Sequence, residues 1–305
     1  MEIRNCTIIG LGALGTLFGK LIQDNLGAGS VRFLASADRL ERYQKNPVYC
    51  NGERCDFSFI SEDDATCADL VIFAVKWTDL PDAIRAVRNQ VGEHTVIISL
   101  LNGITSEEMI AEAYGWEHVL LAVAQGMDAT RLGTQLTYSS PGQIVFGDRN
   151  DERTEAVEAV AAFFEKAGIN YTISDDIHRQ LWSKYMLNVG CNQAVMAFET
   201  NYAGIQTSGQ ARDVMLSAMR EVIQVADAEG IRLTEEDVLW WMNLLATFNS
   251  ENCPSMRQDA LAKRKTEVDM FSGVILAKAK KYGISVPTNE WLYRRIHELE
   301  SEYGK

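Results

Sequence analysis

The chain has 305 residues, which length priors divide into about two domains, and 47% of them are hydrophobic, which excludes global disorder. Its formal net charge of −13 excludes broad binding to nucleic acid or anionic lipid, both of which need a basic face. No stretch reaches the roughly 18 unbroken apolar residues of a membrane span, and the 6 cysteines and 4 histidines show neither a CxxC pair nor an even framework, so neither a metal site nor a disulfide scaffold is expected.

The N-terminus runs from Met1 to Asn5 straight into an apolar strand, without the apolar core of a signal peptide. A cytoplasmic protein with buried free thiols is the expectation. Short runs rich in Val, Ile, Leu and Phe at 3–9, 31–35, 69–75, 95–99 and 119–124 read as buried parallel strands. Helical periodicity lies between several of them, at 13–26, 78–90 and 105–114. Such alternation specifies an open α/β sheet. Asn51-Gly52 within 47–60 reads as a hairpin insertion. Strands at 135–139 and 142–147 around Pro141-Gly142 and a helix at 152–167 follow. Beyond about residue 176 the period changes to 3.6, with helices expected at 177–198, 208–229, 235–247, 256–282 and 288–303. Gly230, Asn252-Cys253-Pro254, and Gly283 with Pro287 punctuate them. The fold class expected is an α/β Rossmann-type dinucleotide-binding domain, residues 1–176, followed by an all-α C-terminal domain, residues 177–305.

The first βα connection reads Gly10-Leu11-Gly12-Ala13-Leu14-Gly15. Gly10 suits a tight turn, Gly12 lets the backbone approach a pyrophosphate, and Gly15 permits close helix–strand packing. The helix start offers free N–H groups and positive dipole to the anion. A plain strand–helix turn is the alternative. An NAD-preferring site carries Asp or Glu at the tip of the second strand. Here Ala35 and Ser36 occupy the tip, so Ser36 and Arg39 are assigned to a 2′-phosphate and NADPH is the expected cofactor, with Asp38 as a countervailing carboxylate.

The helix at 177–198 is apolar almost all round from Leu181 onward. Lys184, Asn188 and Asn192, spaced i, i+4, i+8, stack on one face of it. Buried polar groups need partners, so the stripe lines a polar cavity; the other reading is the wet edge of the helix. Asn is a poor choice for a solvent face, and the stripe holds one charge rather than a mixture. Further along, Ser255 reads as an N-cap with Asp259 one turn later. Glu267, in the expected helix 256–282, is either a surface glutamate or the carboxylate that positions Lys184. The run Val238–Leu245 exceeds one amphipathic stripe and reads as core or as the face of a homodimer.

Together these segments resemble the ketopantoate reductase (2-dehydropantoate 2-reductase) family: GLGALG at 10–15, AVKWTD at 74–79, LLNGI at 100–104, WSKYMLNVGCNQ at 182–193 and SMRQD…KRKTEVDMFSG at 255–273. The resemblance implies a 6-phosphogluconate dehydrogenase C-terminal-like helical domain and an active site in a cleft beside the Rossmann domain. It implies Lys184 as general acid and Glu267 as the residue that holds the substrate hydroxyl or the lysine and contacts the cofactor region. Asn102, Asn188, Asn192, Asn201 and Ser255 would bind the substrate. Gly10, Leu11, Gly12, Ala13, Leu14, Gly15, Ser36, Arg39, Lys76, Asn102, Ala129 and Glu267 would contact NADPH. Ser36 stands where the family usually carries Arg, and Gln193 where it often carries Pro. The reaction implied is reduction of ketopantoate to pantoate in pantothenate and coenzyme A biosynthesis. A reductase of another small 2-oxo acid and a non-catalytic NADP(H) sensor are the rivals.

Overall fold

A computed structural model describes residues 1–303. Cα packing divides the chain into two compact units. The first comprises Met1–Leu101 and Thr105–Gln180; the second comprises Asn102–Ile104 and the chain from Leu181 onward.

The first unit contains all the strands: β1 Cys6–Ile9, β2 Val31–Leu34, β3 Tyr49–Cys50, β4 Glu53–Arg54, β5 Ser58–Ile60, β6 Leu70–Phe73, β7 Val96–Ser99, β8 Val119–Met127, β9 Thr130–Leu132, β10 Gln135–Thr137, β11 Pro141–Gly147 and β12 Tyr171–Ile173. Its helices are α1 Ala13–Leu26, α2 Ala37–Lys45, α3 Leu80–Ala86, α4 Ser106–Tyr114 and α5 Glu155–Lys166. Eight strands form one sheet in the order β12-β11-β8-β7-β6-β1-β2-β5. From β5 to β8 all neighbours are parallel; β11 runs antiparallel to β8. Strands β1 and β6 are buried along their whole length, as strands covered on both faces must be. Period-2 alternation sorts their side chains into two cores. Ile8 and Ile72 pack on one side with Phe18 and Phe33, while Ile9, Val71 and Phe73 pack on the other with Leu80 and Ile110.

The Asn51-Gly52 step makes the expected hairpin between β3 and β4, both residues having positive φ as a two-residue loop requires. It joins a second sheet, in the order β4-β3-β10-β9.

The second unit is helical, and α6 Ile177–Leu187 contains the boundary. Then come α7 Gln193–Ala197, α8 Ala203–Gln206, α9 Gln210–Ala228, α10 Glu235–Leu245, α11 Ser255–Leu261, α12 Val274–Tyr282 and α13 Pro287–Glu300. None of the described helices is long and apolar enough to cross a membrane. Helix α10 resolves the run 238–245 into two faces: Val238, Trp241, Met242 and Leu245 are buried, while Leu239 and Trp240 are exposed.

Two expectations need correction. The helix expected at 177–198 is continuous but contains a π-turn at Asn188–Asn192. The single helix expected at 256–282 does not form. Helix α11 ends in a Schellman motif: Lys263 takes φ 53°, its N–H reaches the Ala260 carbonyl, and the Arg264 N–H reaches that of Asp259. A second π-turn, Asp269–Gly273, precedes α12. Glycine normally marks such a stop, and here a lysine fills the position, so apolar periodicity read straight through it.

Candidate active site

Three side chains meet inside the second unit. Lys184 Nζ donates to Asn102 Oδ1 at 3.1 Å, and Asn102 Nδ2 donates to Glu267 Oε2 at 3.2 Å. An amide is the neutral group that can accept from an ammonium and donate to a carboxylate at once. Asn102 therefore links the cation and the anion in one chain of hydrogen bonds. Gly103 lets it do so: its φ of 99° suits glycine, and a Cβ there would sit 3.0 Å from Met270 Cγ.

The partly buried Lys184 has its pKa lowered to about 8. Loss of water around the ammonium is the larger effect, and the Glu267 charge opposes it. Tyr185, adjacent and fully buried, fixes the register. Its hydroxyl donates to the carbonyls of Phe271 at 2.7 Å and Met270 at 3.2 Å, and the Met270 and Phe271 N–H groups reach back to the Glu267 carbonyl. One tyrosine thus ties Lys184's helix to the turn that carries Glu267. Gln193 adds a second tie, donating to the Val189 carbonyl and accepting from the Ser272 N–H, one bond in each π-turn. Tyr185→Phe should lower stability by about 1–2 kcal/mol, through the two carbonyls it leaves short of a donor. Urea denaturation would read this, and turnover should fall with it because Lys184 and Glu267 lose their shared anchor.

Asn188 and Asn192 are both buried, at 6% exposure. Asn188 Nδ2 is a buried donor with no hydrogen-bond partner. That excludes the wet-edge reading of the stripe, because a buried amide without an acceptor costs about 1–3 kcal/mol until one arrives. The π-turn carrying both asparagines belongs to a class frequent at functional sites.

The remaining expected substrate residues stand differently. Ser255 is exposed and is the first residue of α11; Pro254 occupies the cap position, without a side-chain cap bond. The capping role expected of Ser255 is therefore incorrect, since it lies one residue inside the helix. Glu267 lies in a bend before the second π-turn, not in a helix. Asn201 Oδ1 accepts from the Ala203 N–H, a local turn contact at the start of α8.

The dinucleotide residues are in the first unit. Gly10 has φ 106°, and a Cβ there would come within 2.4 Å of the Ala74 carbonyl oxygen. A Cβ on Gly15 would strike the Gly10 carbonyl at 1.9 Å. Strand β1, the turn and α1 therefore pack at backbone contact. Gly12 caps α1 without a side-chain bond, which leaves the N–H groups at Ala13 and Leu14 directed out of the helix start. Leu11 is buried beneath the loop. The turn lies where β1 neighbours β2 on one side and β6 on the other, the topological switch point at which such sheets bind ligands.

A cavity of about 340 Å³ opens beside it, lined by Leu34, Ala35, Ser36 and Arg39 from the end of β2 and by Val75 and Asp79 from beyond β6. Ser36 is exposed at the start of α2 with no capping bond. Asp38 is exposed and does not line the cavity, whereas Asp79 does and pairs with Arg39 at 3.0 Å. Lys76 is exposed at the start of the turn after β6, and Ala129 packs partly buried between β8 and β9. The glycine turn and the cavity fit a dinucleotide.

Asp79 and Tyr185 are the two residues the sequence reasoning missed. Asp79 stands within the quoted AVKWTD segment, but its partner is 40 residues away. Tyr185 reads as one more apolar residue of its helix.

The chain matches the family described as Ketopantoate reductase PanE/ApbA over residues 6–151 and its C-terminal counterpart over 176–300. The 2-dehydropantoate 2-reductase of Aquifex aeolicus is 27% identical over 302 residues, covering 96% of each chain. The crystal structure of 2-dehydropantoate 2-reductase from Geobacter metallireducens superposes with a TM-score of 0.85 at 26% identity, covering 96% of this chain and 99% of that one. A ternary structure of D-mandelate dehydrogenase with NADH and anilino(oxo)acetate shares the fold, with a TM-score of 0.89 at 22% identity over 99% of this chain and 100% of that one. The chain belongs to the ketopantoate reductase family.

Proposed function

We propose that the chain is an NADPH-dependent 2-dehydropantoate 2-reductase of the cytoplasm, reducing ketopantoate to pantoate in pantothenate biosynthesis. The Lys184–Asn102–Glu267 chain of hydrogen bonds carries this reading. NADPH, when bound, would supply the hydride for reduction at C2, and the glycine turn, Ser36, Arg39, Lys76 and Ala129 would hold it. Lys184 Nζ donates a proton to the C2 oxygen as charge builds there, so the carbonyl becomes an alcohol and the ammonium becomes an amine. Asn102 holds the ammonium in place through its amide oxygen. Glu267 keeps that amide oriented and helps the amine recover its proton from solvent. Asn188 and Asn192 donate to the substrate's carboxylate and hydroxyl oxygens, and Asn188 Nδ2 gains the acceptor it lacks. Asn201 and Ser255 complete the substrate contacts.

The test is NADPH consumption with ketopantoate, run beside a panel of other 2-oxo acids and repeated with NADH. Ketopantoate should rank first in kcat/KM, and a chain that binds NADPH but oxidises it with no 2-oxo acid would sink the proposal.

The proton donor also sets the pH dependence. Reduction needs the ammonium, so kcat/KM for ketopantoate should be flat at low pH and fall tenfold per unit above about 8, where Lys184 loses its proton. Glu267 raises the Lys184 pKa. Glu267→Gln should therefore move the falling limb to lower pH, and oxidation of pantoate should show the opposite limb. A rate profile flat to pH 10 would remove Lys184 as the donor.

A further inference from the structure

The pocket at the end of β2 has an unexpected charge balance. Glu62, Asp79 and Asp82 line it against Arg39 and Arg85, three carboxylates facing two guanidiniums. Neither arginine is uncommitted: Arg39 Nη2 pairs with Asp79 Oδ2 at 3.0 Å, and Arg85 is hydrogen-bonded to Asp82. The Arg39 pKa is raised, chiefly by the hydrogen bond to Asp79, which marks the pair as electrostatically engaged. A nucleotide 2′-phosphate brings roughly two negative charges and needs a cation for bidentate contact. To bind here it must share the Arg39 guanidinium with Asp79, whose single contact to Nη2 leaves other N–H donors, and lie beside that carboxylate. A ribose 2′-hydroxyl meets no such barrier and can donate to that carboxylate. This is the role that an acidic residue at the tip of the second strand plays in NAD sites. The tip here carries Ala35 and Ser36, and Asp79 reaches the same pocket from the turn after β6, two strands across.

We infer that Asp79 is a specificity-determining residue for the nucleotide, tethering Arg39 so that the pocket accepts NADH as well as NADPH. The inference rests on the dinucleotide reading of the first unit and deepens it. Arg39 supplies the attraction for the 2′-phosphate, Asp79 reduces it, and the ratio of the two nucleotide affinities reports the balance.

The experiment measures dissociation constants for NADPH and NADH by nucleotide fluorescence at about 0.05 and 0.3 M salt. The proteins are the intact chain and its Asp79→Asn, Asp79→Ser and Arg39→Gln variants, each checked by thermal melting. The intact chain should bind the two nucleotides within about tenfold of each other. Asp79→Asn should tighten NADPH about tenfold and leave NADH equal or weaker, most clearly at low salt, where charges act over longer distances. Arg39→Gln should weaken NADPH alone. If Asp79→Asn fails to fold, Asp79→Ser reads the same quantity. An NADPH-to-NADH ratio that moves less than twofold on removal of the carboxylate would overturn the inference while leaving nucleotide binding intact. A preference above about a thousandfold for NADPH in the intact chain would overturn it as well. Failure of the intact chain to bind either nucleotide would overturn the dinucleotide reading, and this inference with it.

Discussion

Lys184→Met should lower kcat for ketopantoate reduction by about a thousandfold, the middle of the range for loss of a positioned general acid. Such a loss corresponds to roughly 4 kcal/mol of transition-state stabilisation. The effect should appear in kcat and kcat/KM alike, because the proton is transferred only as the carbonyl oxygen gathers charge. NADPH affinity should change less than about threefold. The fold should persist, since the substitution relieves the desolvation of the ammonium and leaves Asn102 and Glu267 hydrogen-bonded to each other. Stopped assays with the purified variant, at saturating NADPH, measure the rate. Turnover within tenfold of the unaltered chain would remove Lys184 from the chemistry.

Two glycines of the first turn should separate folding from binding. A Cβ on Gly12 meets only the Ala74 carbonyl oxygen, at 3.6 Å, an ordinary contact, and its φ of −84° suits any residue. Gly12→Ala should therefore fold normally, with a Tm within about 2 °C of the unaltered chain, in line with a substitution that adds no strain. Its methyl group would stand where a pyrophosphate approaches the backbone, so the NADPH dissociation constant should rise about a hundredfold. Gly10→Ala should behave differently. Its Cβ falls within 2.4 Å of the Ala74 oxygen, at a φ of 106°. Backbone strain and overpacking together should cost about 3–5 kcal/mol of stability. Calorimetry and fluorescence titration on the same samples distinguish the two. Equal affinity in Gly12→Ala and the unaltered chain would refute the glycine turn as the nucleotide cradle.

The site was legible in part, and the division follows the range of the interactions. The glycine turn is local: a strand, three spaced glycines and a helix start all lie within one βα unit, so Gly10, Gly12 and Gly15 could be assigned from order alone. The Lys184–Asn188–Asn192 stripe was legible because helical spacing places i, i+4 and i+8 on one face. That the stripe passes through a π-turn was not, because Gln193, which closes the turn onto Val189, is itself held by Ser272 from a segment 79 residues away. The Schellman stop at Lys263 left no mark because a lysine took the left-handed position that glycine usually fills. Asp38 drew attention for its place in the sequence, yet it does not line the pocket that Asp79 enters.

Composition and periodicity by themselves determined the class of each half, the alternation that makes a parallel sheet and the long helices that follow it. They also marked the glycine turn between β1 and α1, because every one of these depends on residues close together along the chain. Tertiary structure alone decided that Asn102 leaves the end of β7 to join Lys184 and Glu267, with residues 82 and 165 positions apart in sequence hydrogen-bonded through one amide. It also decided that Arg39 answers to Asp79. Neither partnership has a local signature. An ammonium, an amide and a carboxylate select one another only when packing elsewhere, here the Tyr185 anchor and the sheet order around β1, has brought them within hydrogen-bonding distance.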